Sequence, residues 1–251
     1  MTLYMIGIGL WDETDITVKG LEAVEQCDKV FLESYTSKLG VDVKELEEFY
    51  GKKIILANRD LVEKNADEIL NPAKTKNVAL LVIGDVFGAT THTDIYLRAK
   101  EKDIEVIVIN NASILNAVGI VGLELYKYGK TTSIPYHNEN VETPYDFIKQ
   151  NKAAKMHTLC LLDIDSESDK YMTVKEAIEY LLRVEDKRNE KIFTKDTKCI
   201  GVARLGSPEP KIVYATAGEL LKVDFGEPLY SLIVPSELHF MEEDALKRWV
   251  D

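Results

Sequence analysis

The first forty residues constrain the fold most. Leu3-Tyr4-Met5-Ile6-Gly7-Ile8-Gly9-Leu10 is an apolar run that closes on two glycines. A polar stretch, Asp12-Glu13-Thr14-Asp15, follows, then a helical pattern from Thr17 to Cys27 and a second apolar run, Lys29-Val30-Phe31-Leu32-Glu33. Strand, glycine turn, helix and strand in that order make a βαβ unit. Its first turn lets backbone come close to a small molecule, because glycine has no Cβ in the way.

The alternation continues. Apolar runs at residues 53–56, 78–83 and 105–109 raise the strands expected before residue 110 to five, with helices over 59–70 and 92–102. These runs are continuously apolar, as suits parallel strands covered on both faces. After Asn110 the character shifts. Helical patterns at 113–121, 145–154, 174–184 and 237–249 alternate with strand-like runs at 131–136, 157–163, 199–204, 211–215 and 230–234. Gly206-Ser207-Pro208 sits between two of these runs and turns a hairpin, so this second sheet mixes directions. The expected organisation is two α/β domains. Residues 1–111 form an N-terminal domain with the glycine loop and a mainly parallel sheet, and 112–251 a C-terminal domain with a mixed sheet.

Composition narrows the function classes. A chain of 251 residues, 45% hydrophobic and 29% charged, supports a full core without staples. The net charge of -12 argues against a nucleic-acid substrate, since no basic stripe is present to meet phosphate, and agrees with a basic protein partner. No apolar run approaches the ~18 residues of a membrane helix. The chain enters a strand almost at once, with no basic region and no cleavage site, so a cytoplasmic location is expected. The three cysteines, Cys27, Cys160 and Cys199, lack C-x-x-C spacing and read as buried thiols. The four histidines, His92, His137, His157 and His239, are scattered, and no metal is expected.

Three loops carry the chemistry. Gly7 and Gly9 supply two positions of a G-x-G-x-x-G fingerprint, but the third is Asp12, an acid that would repel a pyrophosphate. Glu33, ending the second strand, mimics the acid that binds a ribose, so a nicotinamide or flavin reading stays open behind the main one. Gly84-Asp85-Val86-Phe87-Gly88 follows the fourth strand, where open α/β sheets collect ligands, and the Asp85 carboxylate suits a cationic or hydroxyl-bearing group. Thr91 or Thr93 is expected to cap the helix beginning near His92. Asn110-Asn111-Ala112-Ser113-Ile114 follows the fifth strand, and Ser113 reads either as an N-cap or as part of an anion-binding helix start. His157, opening a core strand, reads as structural, and Arg204 as paired with either an acid or a substrate. No Ser/His/Asp or Cys/His set and no paired acids at helical spacing stand out.

Taken together, these segments resemble the diphthine-type branch of the class III methyltransferase family, the tetrapyrrole methylase superfamily. The matching stretches include Gly7-Ile8-Gly9-Leu10, Leu32-Glu33-Ser34-Tyr35-Thr36-Ser37, Ala89-Thr90-Thr91-His92-Thr93-Asp94, Asn111-Ala112-Ser113-Ile114, Ala203-Arg204-Leu205-Gly206-Ser207 and Ser231-Leu232-Ile233-Val234-Pro235. Two positions depart from the wider superfamily: Leu10-Trp11-Asp12 replaces Pro-Gly-Asp, and Val86 replaces the proline of Gly-Asp-Pro. The resemblance implies two α/β domains with S-adenosylmethionine in the cleft between them, in a homodimer. It implies N-methylation of the aminocarboxypropyl-histidine of translation elongation factor 2, which forms diphthine on the route to diphthamide, with no nucleic acid or membrane involved. The implied cofactor contacts are Leu10, Asp85, Gly88, Ser113, Ile114, Leu162, Leu205 and Ser231, many through backbone groups. No catalytic base is assigned. The compact length leans towards the archaeal-type trimethylating form. A methyltransferase for a tetrapyrrole or RNA, a nicotinamide-dependent oxidoreductase and a non-catalytic cofactor sensor are the alternatives.

Overall fold

Every strand of the first half is a short apolar run; burial on both faces explains the central one, Val78–Val82, but not the edge strand Ile54–Ala57, where Ile55 and Leu56 are exposed. In the computed structural model, which describes residues 1–136, 140–165 and 168–250, the chain divides into two compact units, Met1–Ala117 and Val118–Asp251. His137 lies outside the described residues.

In the first unit, β1 (Thr2–Gly7), β2 (Lys29–Glu33), β3 (Ile54–Ala57), β4 (Val78–Val82) and β5 (Glu105–Ile109) form one sheet in the order β3-β2-β4-β1-β5. All the pairings are parallel. All five residues of the central β4 are buried. They alternate between two cores: Leu80 and Val82 pack with Ile69 and Leu70 of α3 (Asp67–Ala73) and Ile95 of α4 (Thr93–Glu101). Ala79 and Leu81 pack with Val24 of α1 (Val18–Glu25) and with Leu46 and Tyr50 of α2 (Val43–Tyr50). Period-two alternation between two apolar cores leaves no polar position, hence the continuous run. The order reverses around β1, which lies between β4 and β5, so the carboxyl ends of these three strands form the crevice of an open α/β sheet.

In the second unit, β6 (Thr132–Ile134), β7 (Thr158–Leu162), β10 (Lys198–Ala203), β11 (Lys211–Thr216) and β12 (Tyr230–Val234) form a mixed sheet in the order β11-β10-β12-β7-β6. Only the β6–β7 pairing is parallel. The Gly206-Ser207-Pro208 segment lies between the antiparallel β10 and β11, as its turn chemistry requires. A single core joins this sheet to α6 (Thr143–Ala153) and α7 (Val174–Arg188). Thr173 starts α7 in a reciprocal capping box with Glu176. β8 (Ile164–Asp165) and β9 (Lys170–Tyr171) make a separate two-stranded ribbon. Two short helices, α8 (Ala217–Leu220) and α9 (Phe240–Leu246), follow, and α5 (Ile114–Ala117) falls within the first unit.

Two expectations are corrected. The helix expected over 59–70 is a π-helical turn, Asp60–Lys64, followed by α3. Neither Thr91 nor Thr93 caps α4: His92 holds the N-cap position with no side-chain capping bond, and the Thr90 hydroxyl donates to the Val86 carbonyl at 2.8 Å. All three cysteines are free and buried, and burial pushes the Cys27 thiol up to about 11. No helix among the described residues is long and apolar enough to cross a membrane.

Candidate active site

The loop after β1 and the loop after β4 are held face to face by their glycines. Gly9 and Gly84 form an antiparallel bridge, the Gly9 amide donating at 3.3 Å and the Gly84 amide at 2.6 Å. Both sit in the left-handed region, with φ of 82° and 84°, where a side chain is strained. Gly9, the second of the two glycines that close the first apolar run, thus joins Gly84 in a backbone clasp at the carboxyl end of the sheet.

The polar residues of these loops bind their own backbone first. One oxygen of Asp15 accepts from the Leu10 amide at 3.1 Å and the Trp11 amide at 2.8 Å. Asp12, which takes the place of the third glycine, accepts from the Thr14 amide and hydroxyl at 2.9 and 2.6 Å. Asn111 reaches across from β5, donating to the carbonyls of Gly7 at 3.0 Å and Asp15 at 2.9 Å. Asp85 ties the ends of β4 and β5 together. Its carboxylate accepts from the Phe87 amide at 3.0 Å, the Asn110 side chain at 3.0 Å and the Asn111 amide at 3.1 Å. Burial alone would raise its pKa, but these donors outweigh it and hold the carboxyl below its usual range. Asp85 is thus an anion at neutral pH, half-exposed, with lone-pair capacity left for a further donor.

Gly88, Ser113 and Asp85 meet. A Cβ on Gly88 would lie 2.7 Å from the Ser113 hydroxyl and 3.4 Å from the Asp85 Cβ, closer than real side chains come in the first case. Ser113 is 6% exposed, and its hydroxyl accepts from the Leu115 amide at 3.3 Å, so it caps α5, whose first residue is Ile114. Leu10, Asp85, Gly88, Ser113 and Ile114 all lie on the three loops at the carboxyl ends of β1, β4 and β5.

The other three expected residues share one end of the second sheet. Leu162 ends β7, Ser231 lies near the start of β12 opposite Leu161 and Val202, and Leu205 follows β10. Because β12 runs antiparallel to both neighbours, its start and their ends coincide. All three are buried, at 8%, 5% and 8% exposure. Nearby Arg204 is spent on structure, donating to the Phe225 carbonyl at 2.9 Å and to the Glu227 carbonyl.

Glu33 does not present a ribose-binding acid. It is fully buried, and its carboxylate accepts from the Tyr35 amide at 2.7 Å and from the Thr36 amide and hydroxyl, both at 2.6 Å. With Glu33 closing its own turn and Asp12 in place of the third glycine, the two residues that a dinucleotide reading needs are turned to other uses. Sequence reasoning passed over Asp15 and Asn111, the residues that fix the first loop. The signal for them was weak: an Asx residue after a glycine turn, and paired asparagines after a strand.

Comparison with known proteins decides the family. Residues 2–221 match the family described as Tetrapyrrole (Corrin/Porphyrin) Methylases. The chain belongs to the tetrapyrrole methylase family. Within this family it is 49% identical to the diphthine synthase of Methanococcus aeolicus, over 98% of this chain and 96% of that protein. It is 46% identical to the diphthine methyl ester synthase of Dictyostelium discoideum, over 97% and 96%. A solved structure of diphthine synthase matches with a TM-score of 0.92 at 40% identity, covering 100% of this chain and 96% of that one. The tetrapyrrole methylase assignment makes the chain a methyltransferase of class III architecture, as the resemblance of its sequence implied.

The loops fit the methyl donor of such enzymes. S-adenosylmethionine carries an ammonium, a sulfonium and ribose hydroxyls. The half-exposed Asp85 anion and the Ser113 hydroxyl beside it offer charge and hydrogen bonding of the matching kind.

Proposed function

We propose that this protein transfers methyl groups from S-adenosylmethionine to the amino nitrogen of the aminocarboxypropyl-histidine of translation elongation factor 2, forming diphthine in diphthamide biosynthesis. The observation that carries this reading is near-full-length identity of 46–49% to proteins named diphthine synthase and diphthine methyl ester synthase. In this reading Leu10, Asp85, Gly88, Ser113 and Ile114 of the first unit, and Leu162, Leu205 and Ser231 of the second, hold the cofactor. The protein works in the cytoplasm as a homodimer.

The cofactor supplies an activated methyl group on a good leaving group, so the protein needs no nucleophile of its own. Its residues bind and orient. Asp85, kept ionised by its donors, faces a cation without having to lose a proton first. The Gly9–Gly84 clasp and the Asn111 bridge fix the loops before binding, so little ordering remains to oppose it. Alignment of donor and acceptor accounts for roughly 7–11 kcal/mol of barrier lowering in well-oriented reactions.

The test is transfer of radiolabelled methyl from S-adenosylmethionine to elongation factor 2, with and without the aminocarboxypropyl precursor. Label confined to the precursor-bearing form, on the peptide that holds the modified histidine, is expected. Label on neither form overturns the reading.

A further inference from the structure

The second unit carries an apolar face at one end of its sheet. The chain from Val118 to Lys127 runs antiparallel to α9 and the turn after it. Lys127 donates to the Glu237 carbonyl at 2.9 Å, and the Glu124 amide to the Glu242 carboxylate at 3.0 Å. Gly122 packs so closely on Ala245 that an added Cβ would collide with the alanine's own. The Trp249 indole donates to the Val121 carbonyl at 2.9 Å, and Arg248 donates to the Ile120 carbonyl. The two segments lie side by side along their length.

Both are apolar on two faces. Inward, Val118, Val121, Leu123 and Leu246 are at most 3% exposed. Outward, Tyr126 is 81% exposed, Phe240 64%, Met241 58%, Ile120 48% and Leu125 42%. Leu125 lies against Gly119, next to Ile120. Tyr126 adjoins Lys127, whose amine bridges Glu237 and Glu242 on either side of Phe240 and Met241. Phe240 is backed by His239, their ring centroids 4.2 Å apart. A surface element turns polar residues to water, whereas one that is apolar all round is covered. At about 200 Å² for a large side chain, these five leave roughly 600 Å² open. That is the upper end of the ~300–600 Å² patch that a monomer carries. It also supplies most of the ~800 Å² that each partner buries in a standard interface.

Position and charge choose the occupant. His157, which precedes β7, meets Glu242 of α9 at 2.9 Å, whereas Leu162 ends that strand. The face is therefore separated from the end that holds Leu162, Leu205 and Ser231 by the length of the strand, about 15 Å for five residues. A reacting side chain must reach that other end. The chain as a whole carries a net charge of -12 and repels its own copy over most of its surface. Around this face the charges pair locally: Glu237 with Lys155 at 2.8 Å, Asp244 with Lys247 at 2.5 Å, and Lys127 with the buried Glu242. Local pairing removes the repulsion and leaves apolar contact to act.

We infer that Ile120, Leu125, Tyr126, Phe240 and Met241 form the interface with a second copy of this chain, related to it by a two-fold axis. This rests on the homodimer of the function proposed above and gives it a face. Each copy keeps Leu162, Leu205 and Ser231 at the end turned away from its partner.

Sedimentation equilibrium of the full chain, without cofactor or substrate, tests it. The wild type is expected at twice the mass of one chain at micromolar concentration. The double variant Tyr126→Asp with Phe240→Asp is expected at the single mass with an unchanged far-UV circular dichroism spectrum. Tyr126→Ser takes one ring from the most exposed of these positions and should weaken the dimer at least about tenfold. S-adenosylmethionine affinity should stay within about twofold in both variants. A dimer of unchanged strength in both variants overturns the inference, and so does a monomeric wild type. Weaker binding of elongation factor 2 by the variants of a monomeric wild type would give the face to the substrate protein instead. Loss of cofactor affinity in step with dissociation would overturn the separation of interface and site. Methyl transfer measured in parallel keeps the two readings apart: transfer by a monomer sinks the interface alone, and a dimer without transfer sinks the function alone.

Discussion

His157 and Glu242 lie 85 residues apart in sequence, yet the imidazole Nε2 and a carboxylate oxygen meet at 2.9 Å with both side chains at most 1% exposed. The Ser236 amide donates to Nδ1 at 3.0 Å, so Nε2 carries the proton and donates to Glu242. The same carboxylate accepts from Lys127, from the Glu124 amide at 3.0 Å and from the His239 amide at 2.8 Å. One buried anion thereby joins the start of β7, α9 and the turn before β6, and the opening histidine of a core strand is structural, as its position suggested. Glu242→Ala strands these donors in the interior. A loss of about 3–5 kcal/mol in urea unfolding is expected. A loss under about 1 kcal/mol would contradict the network.

The same pair sets the acid limit of stability. Burial alone would raise the Glu242 pKa, but its hydrogen bonds bring it down from the ordinary 4.5 to about 2. A carboxyl depressed on folding contributes stability that is complete above its unfolded value and is lost as pH falls towards the folded one. The loss between about pH 5 and pH 2 amounts to about 3 kcal/mol. His157, held below its ordinary value chiefly by burial, acts with the same sign, because the unfolded chain takes up a proton that the folded one resists. Its share fades as pH falls through the unfolded histidine value of about 6.5. Unfolding free energies measured from neutral pH downward should therefore fall monotonically, and Glu242→Gln should flatten the part below about pH 5. An unchanged slope in that variant would locate the acid sensitivity elsewhere.

Asp85 combines two tasks, so its substitutions should separate. Asp85→Asn keeps the size and one acceptor but removes the charge proposed to face the cofactor. Cofactor affinity is expected to drop about tenfold by calorimetry, with a stability change near 1 kcal/mol. Asp85→Ala also frees the Asn110 and Asn111 donors and should lower both further. Unchanged affinity in both variants would remove Asp85 from the cofactor site.

Gly88 and Ser113 should be coupled. A methyl at position 88 lands 2.7 Å from the Ser113 hydroxyl and 2.8 Å from its Cβ, so Gly88→Ala forces the loops apart. Cofactor affinity should fall in Gly88→Ala and recover in part when Ser113→Gly is added, giving a coupling of about 1 kcal/mol or more in a double-mutant cycle. Strict additivity would mean that the loops part without strain.

The centre of the first unit's sheet was legible because β4 is buried on both faces. Leu80 and Leu81 enter opposite cores, so the run from Val78 to Val82 carries no polar interruption to confuse it with a helix face. α2 was missed because Val43–Tyr50 is dense in charge and buries only Leu46 and Tyr50, four residues apart. The two-residue strands β8 and β9 are too short to show a period. The loops were legible as places and not as wiring. Glycines marked where backbone comes close, but the partners of Asp15, Asp85 and Asn111 depend on β4, β1 and β5 lying side by side, which local pattern does not encode. Glu33 shows the cost of reading a lone acid by analogy: its short-range turn with Thr36 was the simpler use.

The most direct measurement is the intact mass of elongation factor 2 carrying the aminocarboxypropyl-histidine, before and after incubation with this protein and S-adenosylmethionine. The expected result is a gain of whole methyl increments on that residue. Three would mark the trimethylamine expected of the archaeal-type form, and a fourth a methyl ester. An unchanged mass, with cofactor binding confirmed separately, would contradict the assignment of elongation factor 2 as the methyl acceptor.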